Sequence, residues 1–489
     1  MKRWIALTLC ALTTAACQDQ SGPEGLTGPA EHAGASLLAL PGARLDPVLT
    51  TALNLASPLD RLEVIVNFDE AQTSGALLGN RILGTGAGII TFRHLPVVAA
   101  LATPAQIASI RGLPGVTSLY ANRQLRYHLR EAVQSVNAPQ VHAAGYTGKG
   151  VGIAILDSGV DAQYHPGLAW GTKTVQNVKV AADMRDLVTF DPSTPAVAAD
   201  LFVENVPNSE TSTGHGTHVA GIAAGSGAGS SDGIYTGVAP GAHVVGIGAG
   251  DVLFVLWTLA GLDYVLENRE RYNIQVINNS WGITGAYDPE DPVVRSTRKL
   301  YDAGIAVVFS AGNEGPAENT LNPYSAAPWV LSVAAGCKLY VSDPTNSGAL
   351  CEDESNAGRA PVLTYFSSRG IPGDPLVHPD VTAPGANVVS ARAALGLVMN
   401  STDLLGDAGD CQVSLQHFDH YTCASGTSMS APVVTGIIAL MEEASRGRLT
   451  PEQAYRALTR TARPLAGYAE WEQGAGYVDA AAAVKAVRR

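Results

Sequence analysis

The chain runs to 489 residues, 46% of them hydrophobic and 15% charged, with 44 acidic against 31 basic side chains and a formal charge of −13. That length allows two or three domains around a large core. The acidity argues against nucleic acid as a partner, because phosphate recognition is built from clustered Lys and Arg, and past the N-terminus no apolar run is long enough to span a bilayer.

In chain order, Lys2 and Arg3 precede an apolar stretch from Trp4 to Ala16 that is too short to cross a membrane, so residues 1–17 read as an export signal. Thr14-Ala15-Ala16-Cys17 resembles a bacterial lipoprotein cleavage box, which would make Cys17 the lipidated first residue. Thr14 departs from that box, which usually carries an apolar residue there, and ordinary cleavage after Ala16 is the alternative. Residues 18–60 are expected to form a linker, with a Gly/Pro/Ser-containing start that suits a tether.

Residues 61–128 read as a small α+β unit. Leu62–Phe68 alternates as a strand, Ile89–Phe92 forms another, Thr103–Arg111 has helical spacing and Val116–Tyr120 reads as a further strand. From Ala71 to Arg130 there is no Asp or Glu, while Arg81, Arg93, Arg111, Arg123, Arg126 and Arg130 give +6; residues 131–489 carry −15. A basic segment beside an acidic one is the pattern of two surfaces that dock.

From 131 to 489 the pattern changes. Val151–Leu156, Val244–Ile247, Val276–Ile277, Ile305–Phe309 and Val330–Ala334 are short, continuous and rich in β-branched residues, with helical stretches at Val255–Asn268, Pro292–Tyr301 and Ser428–Ala444. Strands buried on both faces and separated by helices predict a mostly parallel α/β sheet. Thr450-Pro451-Glu452-Gln453 predicts a capping box with Pro at the first helical position. Cys337 with Cys351 and Cys411 with Cys423 form two local pairs, for which disulfides are the default in an oxidising compartment.

Three motifs carry chemistry. The strand Gly152–Leu156 ends in Asp157-Ser158-Gly159, at a carboxyl end of the kind where functional groups of open parallel sheets gather. Gly214-His215-Gly216-Thr217-His218-Val219-Ala220-Gly221 lets a helix start tightly beside an imidazole. Two histidines three apart could instead bind a metal, but neither a third ligand cluster nor His-Glu-x-x-His accompanies them. Ser425-Gly426-Thr427-Ser428-Met429-Ser430-Ala431-Pro432 leads into an apolar helix, so Ser428 would stand where a helix N-terminus favours a developing oxyanion; alone it could be a simple N-cap. Nucleophile, base and orienting carboxylate occur in the order Asp…His…Ser.

Together these motifs resemble those of the subtilisin-like serine proteases across 131–489. Further matches are Ser310-Ala311-Gly312-Asn313-Glu314-Gly315, Gly237-Val238-Ala239-Pro240, Asn279-Ser280-Trp281-Gly282, Phe366-Ser367-Ser368-Arg369-Gly370 and Thr382-Ala383-Pro384-Gly385. The resemblance implies an α/β three-layer sandwich with a mostly parallel central sheet, preceded by an α+β propeptide domain at 61–128 that acts as intramolecular inhibitor. It implies a secreted or surface-anchored monomeric serine endopeptidase that cleaves polypeptides through an acyl-enzyme. Asp157, His215 and Ser428 would be its triad and Asn313 its oxyanion donor. Ser280, Trp281 and Gly282 would line the first substrate pocket, with Glu314 nearby and His218 structural.

Some positions depart from the family. The 58 residues between Asp157 and His215 imply an insertion at Gly171–Thr213, and the substrate edge strand near Gly248–Leu253 is short. No cofactor is needed for the chemistry. Calcium is not supported at Gly225–Tyr235, where only Asp232 offers a charged oxygen ligand. A narrow-specificity processing protease, or an inactive binding protein on the same fold, are the alternative readings.

Overall fold

The computed structural model describes residues 42–122, 124–127, 134–180, 196–197, 201–250, 253–338, 362–402, 413 and 416–488. The expected export signal and Cys17, together with Cys351 and Cys411, lie outside the described residues. Among the described residues no helix is long and apolar enough to cross a membrane.

Two sheets organise the fold. The first orders its strands Arg44–Leu45, Val116–Ala121, Leu62–Phe68, Val97–Ala102, Gly88–Thr91 and Ala196–Val197. Its central strands are apolar on both sides because each face meets a core. Val64, Val66 and Phe68 pack with Leu78, Ile82, Ile107 and Ile110 of the helices Gly75–Leu83 and Pro104–Arg111. Ile65, Ile90, Val97, Ala99 and Tyr120 share the opposite core with the helices Val255–Asn268 and Pro292–Asp302.

The linker expected to reach residue 60 ends sooner. Arg44–Leu45 pairs in parallel with Ser118–Leu119, and Asp46 caps the helix Pro47–Leu55, whose Leu49 enters the first core. A two-residue strand is too short to alternate visibly. The helix Gly75–Leu83 also went unread, because Gly75 and Gly79 lower its apparent propensity.

The second sheet runs Phe202–Val203, Thr174–Val180, His243–Gly248, Gly152–Asp157, Ile274–Asn279, Ala306–Ser310, Leu331–Gly336, Val381–Pro384, all parallel apart from the first. Ile153 and Ile155 pack under the helices His215–Ala224 and Thr427–Ser445, while Ala154 and Leu156 pack under Val255–Asn268 and Pro292–Asp302. Period-two alternation thus divides one strand between two cores, giving the three-layer α/β sandwich. The Gly171–Thr213 insertion serves both sheets: Thr174–Val180 and Phe202–Val203 extend the second, and Ala196–Val197 pairs in parallel with Ile90–Thr91 of the first.

Polar contacts stitch the sheets together. Asp263 accepts from the Arg93 and His94 backbone N–H groups at 3.1 and 2.9 Å. Asp288 accepts from Tyr120 Oη at 2.6 Å and from Arg44 at 2.8 Å, and Asn67 Nδ2 donates to Glu290 O at 2.7 Å. Arg93 pairs with Glu267, and Lys299 with Glu70.

Near the end of the Thr427–Ser445 helix, Glu443 Oε2 accepts from the N–H groups of Thr147, Gly148 and Lys149 at 2.6–3.1 Å. Its neighbour Glu442 is 3% exposed, and burial pushes its carboxyl up to about 7. A carboxyl raised in the folded state holds its proton longer than in the unfolded chain. Glu442 therefore weakens folding as pH rises from the unfolded value through about 7. Glu442→Gln should be roughly 3 kcal/mol more stable than the parent at pH 8, with the gap closing by pH 4. Thermal unfolding across that range checks it; a gap independent of pH would contradict the assignment.

Candidate active site

The strand Gly152–Asp157 delivers Asp157 to the carboxyl end of the sheet, with no exposed surface. Its Oδ1 accepts from Ser158 N at 2.8 Å and faces His215 Nδ1 at 2.6 Å. A carboxylate only accepts, so the Nδ1 proton lies in this contact and Nε2 keeps its lone pair. His215 opens the helix His215–Ala224, preceded by Gly214 at φ 76°. A Cβ at Gly214 would come within 2.9 Å of Gly396 Cα, so both backbone conformation and space require glycine there.

Ser428 is the second residue of the Thr427–Ser445 helix. Its hydroxyl donates to Ser280 O at 3.0 Å, and Ser280 Oγ donates to Ser428 O at 2.7 Å, a reciprocal pair that locks the helix start to the Ser280–Gly282 segment. Asn313 approaches from the turn after Ala306–Ser310. Its Oδ1 accepts from Thr427 N at 3.0 Å and Thr427 Oγ1 at 2.9 Å. With the carbonyl of the amide committed, Nδ2 is the end left to donate to a ligand.

Trp281 belongs to the segment expected to line the first substrate pocket. Its ring is fully buried, Nε1 donates to Leu156 O at 2.8 Å, and it packs edge-on against Phe309 at 4.9 Å. Only its backbone can serve the cleft. The strand Gln124–Tyr127 lies between Leu253–Phe254 and Trp281–Gly282, antiparallel to both, with Tyr127 opposite Trp281 and Arg126 opposite Gly282. The shortened edge strand expected near Gly248–Leu253 is this Leu253–Phe254 pair.

Asn322 and Thr427 were not singled out from sequence. Asn322 Nδ2 donates to Trp281 O at 3.0 Å and Ser310 O at 3.1 Å, bridging the two walls that carry Gly282 and Asn313. A Cβ on Gly282 would lie 2.3 Å from that amide. An asparagine seven residues past the Ser310–Gly315 motif gives no local signal, whereas Thr427 sits inside a motif whose attention falls on Ser428.

His218 is fully buried, and burial, then the proximity of His215, pushes its imidazole down to about 3. It is neutral at physiological pH, as a structural histidine would be. Among the described residues no group of three or more His, Cys, Asp or Glu is placed to hold a metal ion. In the Gly225–Tyr235 loop, His417 Nε2 meets both Ser231 N and Ser231 Oγ at 2.9 Å, and Tyr235 packs against the His417 ring. Cys337 and Cys423 are each disulfide-bonded.

A buried Asp–His pair, a serine at a helix start and an asparagine beside it define the site class of a serine hydrolase. The family model of the subtilases, peptidase family S8, matches residues 148–478, and the chain belongs to that family. It is thus a subtilisin-like serine peptidase. It is 28% identical over 418 residues to serine protease AprX of Bacillus subtilis, across 81% of this chain and 82% of that protein. To the extracellular basic protease of Dichelobacter nodosus it is 30% identical over 378 residues, spanning 72% of this chain and 53% of the other. Among solved structures it is similar to fervidolysin of Fervidobacterium pennivorans, a keratinolytic enzyme related to subtilisin. The TM-score is 0.62 at 18% identity, across 91% of this chain and 63% of that one, a likeness of fold.

If Nδ2 of Asn313 is the oxyanion donor, Asn313→Ala should lower kcat by about 10²–10³ with KM little changed. Steady-state kinetics on a chromogenic peptide reads this; an unchanged kcat would remove Asn313 from the mechanism.

Proposed function

We propose that this chain is an exported serine endopeptidase made with its own N-terminal inhibitor. The observation that carries the reading is the 2.6 Å contact between His215 and Asp157, both without exposed surface, beside a serine at a helix start. Ser428 Oγ turns from Ser280 O toward His215 Nε2, gives up its proton there and attacks the scissile carbonyl. Such contacts commonly tighten only once substrate is bound. His215 then hands the proton to the leaving amine, while Asp157 holds the tautomer and stabilises the imidazolium. The oxyanion is met by Asn313 Nδ2 and the Ser428 N–H at the positive end of the Thr427–Ser445 helix. Water repeats the sequence on the acyl-enzyme.

The Gln124–Tyr127 strand supports the inhibitor reading. It occupies the gap between two edge strands as an extended substrate would, and it runs toward Ser280 and Ser428. The unit spanning 42–122 would therefore be a propeptide whose tail lies in the cleft, with the processing cut between about Arg126 and Gln134. The disulfides would pair Cys337 with Cys351 and Cys411 with Cys423, as an exported protein allows. Anchoring through Cys17 would leave the lipid on the inhibitor's side of the cut.

One experiment addresses both halves. Wild-type protein should take a single serine-directed phosphonate at Ser428 and arrive as two polypeptides that co-purify, separating more readily as salt rises. Ser428→Ala should remain one folded, unlabelled chain. Labelling or turnover in the alanine variant would overturn the triad; a single uncut wild-type chain with full activity would overturn the propeptide.

A further inference from the structure

Glu210 is a buried acid that the chemistry above does not use. It is 8% exposed and five residues ahead of His215, yet its carboxylate is bonded to the first turn of the helix that His215 opens. Oε2 accepts from Thr217 N at 2.8 Å and from Thr217 Oγ1 at 2.5 Å, while Oε1 accepts from Thr211 N at 2.9 Å. The Ser158 hydroxyl lies near enough to favour its charged form.

These partners reach further. Thr217 Oγ1 accepts from Asp161 N at 2.9 Å, and Ser158 Oγ accepts from Gly216 N at 2.8 Å. Two bridges thus cross from the turn after Asp157 to the first turn of the His215 helix; Glu210 is bonded to the one through Thr217 and lies near the one through Ser158. The helix needs such help. Gly214 at its N-cap has no side chain to satisfy the first N–H groups, and Glu210 supplies that acceptor from outside.

We propose that Glu210 is a positioning residue for the catalytic pair: its buried carboxylate holds Thr217, whose hydroxyl takes the Asp161 N–H, and thereby sets the approach of His215 Nδ1 to Asp157. This rests on the proposed triad. Burial pushes the Glu210 carboxyl up to about 7, and the bonds from Ser158, Thr217 and Thr211 pull it back toward the anion. A carboxylate is the required group because two of its contacts are backbone N–H donors, so an amide would turn its own NH₂ against one of them. The route through Ser158 and Thr217 makes the role one of geometry, with substrate binding left to other residues.

The test compares Glu210→Gln, Glu210→Asp and Ser158→Ala in the full chain. Folding is followed by circular dichroism, kcat and KM on a chromogenic peptide, and the downfield proton resonance of His215 Nδ1 by NMR. Glu210→Gln is expected to lose about 10²-fold in kcat with KM unchanged and to shift the resonance. Glu210→Asp should recover part of the loss, and Ser158→Ala, which cuts one bridge, should fall between. A folded Glu210→Gln protein with parental kcat and an unmoved resonance overturns the proposal. So does a Ser158→Ala protein that matches the parent should Glu210→Gln fail to fold. The resonance needs no turnover, so an inactive wild-type chain would sink the proposed function while still deciding this one.

Discussion

A carboxylate stripped of water is strongly disfavoured unless donors meet its charge. Asp157 meets that condition on one oxygen: Oδ1 takes the Ser158 N–H and the His215 imidazole, while the buried Oδ2 has no hydrogen-bond partner among the described residues. The pairing fixes which imidazole nitrogen carries the proton, and leaves Nε2 with its lone pair. It also requires that the end of the Gly152–Asp157 strand and the start of the His215–Ala224 helix be held in register with each other. Much of the surrounding architecture bears on that requirement: glycine at 214 lets the helix pack against Gly396, and the Glu210, Ser158 and Thr217 contacts join the two segments.

The sandwich explains how the site is both buried and held at the end of a strand. Alternation along Gly152–Asp157 sends Ile153 and Ile155 to one core and Ala154 and Leu156 to the other, so the strand is anchored on both sides and only its end is available for chemistry. His215 and Ser428 come from helices on the same face, and Asn313 from the end of the Ala306–Ser310 strand. The opposite helical layer, Val255–Asn268 with Pro292–Asp302, carries the N-terminal sheet, from which Gln124–Tyr127 reaches over to the cleft. On our proposal, one layer thus serves the chemistry and the other holds the segment that inhibits it.

Most of this was legible from the residues. Buried parallel strands announce themselves as short β-branched runs, and the Asp157, His215 and Ser428 motifs are specific because glycines and small residues around them meet tight steric demands. Gaps arose where the signal is not local. Asn322 bridges two walls from a loop without periodicity, and Glu210 lies in an insertion whose length alone was noticed. Trp281 sits in a substrate-lining motif, yet its indole finds Leu156 O and Phe309 in the core, a partner choice no single segment records. The strand Arg44–Leu45 and the Gly79-containing helix were hidden by brevity and by weak propensity.

The most direct measurement is the turnover of Asp157→Asn. Asparagine preserves size and can still meet His215, but it offers the imidazole a donor as readily as an acceptor and so permits the wrong tautomer. The account predicts a folded protein whose kcat is lower by about 10⁴ near neutral pH. A folded Asp157→Asn protein that turns over near the wild-type rate would contradict it.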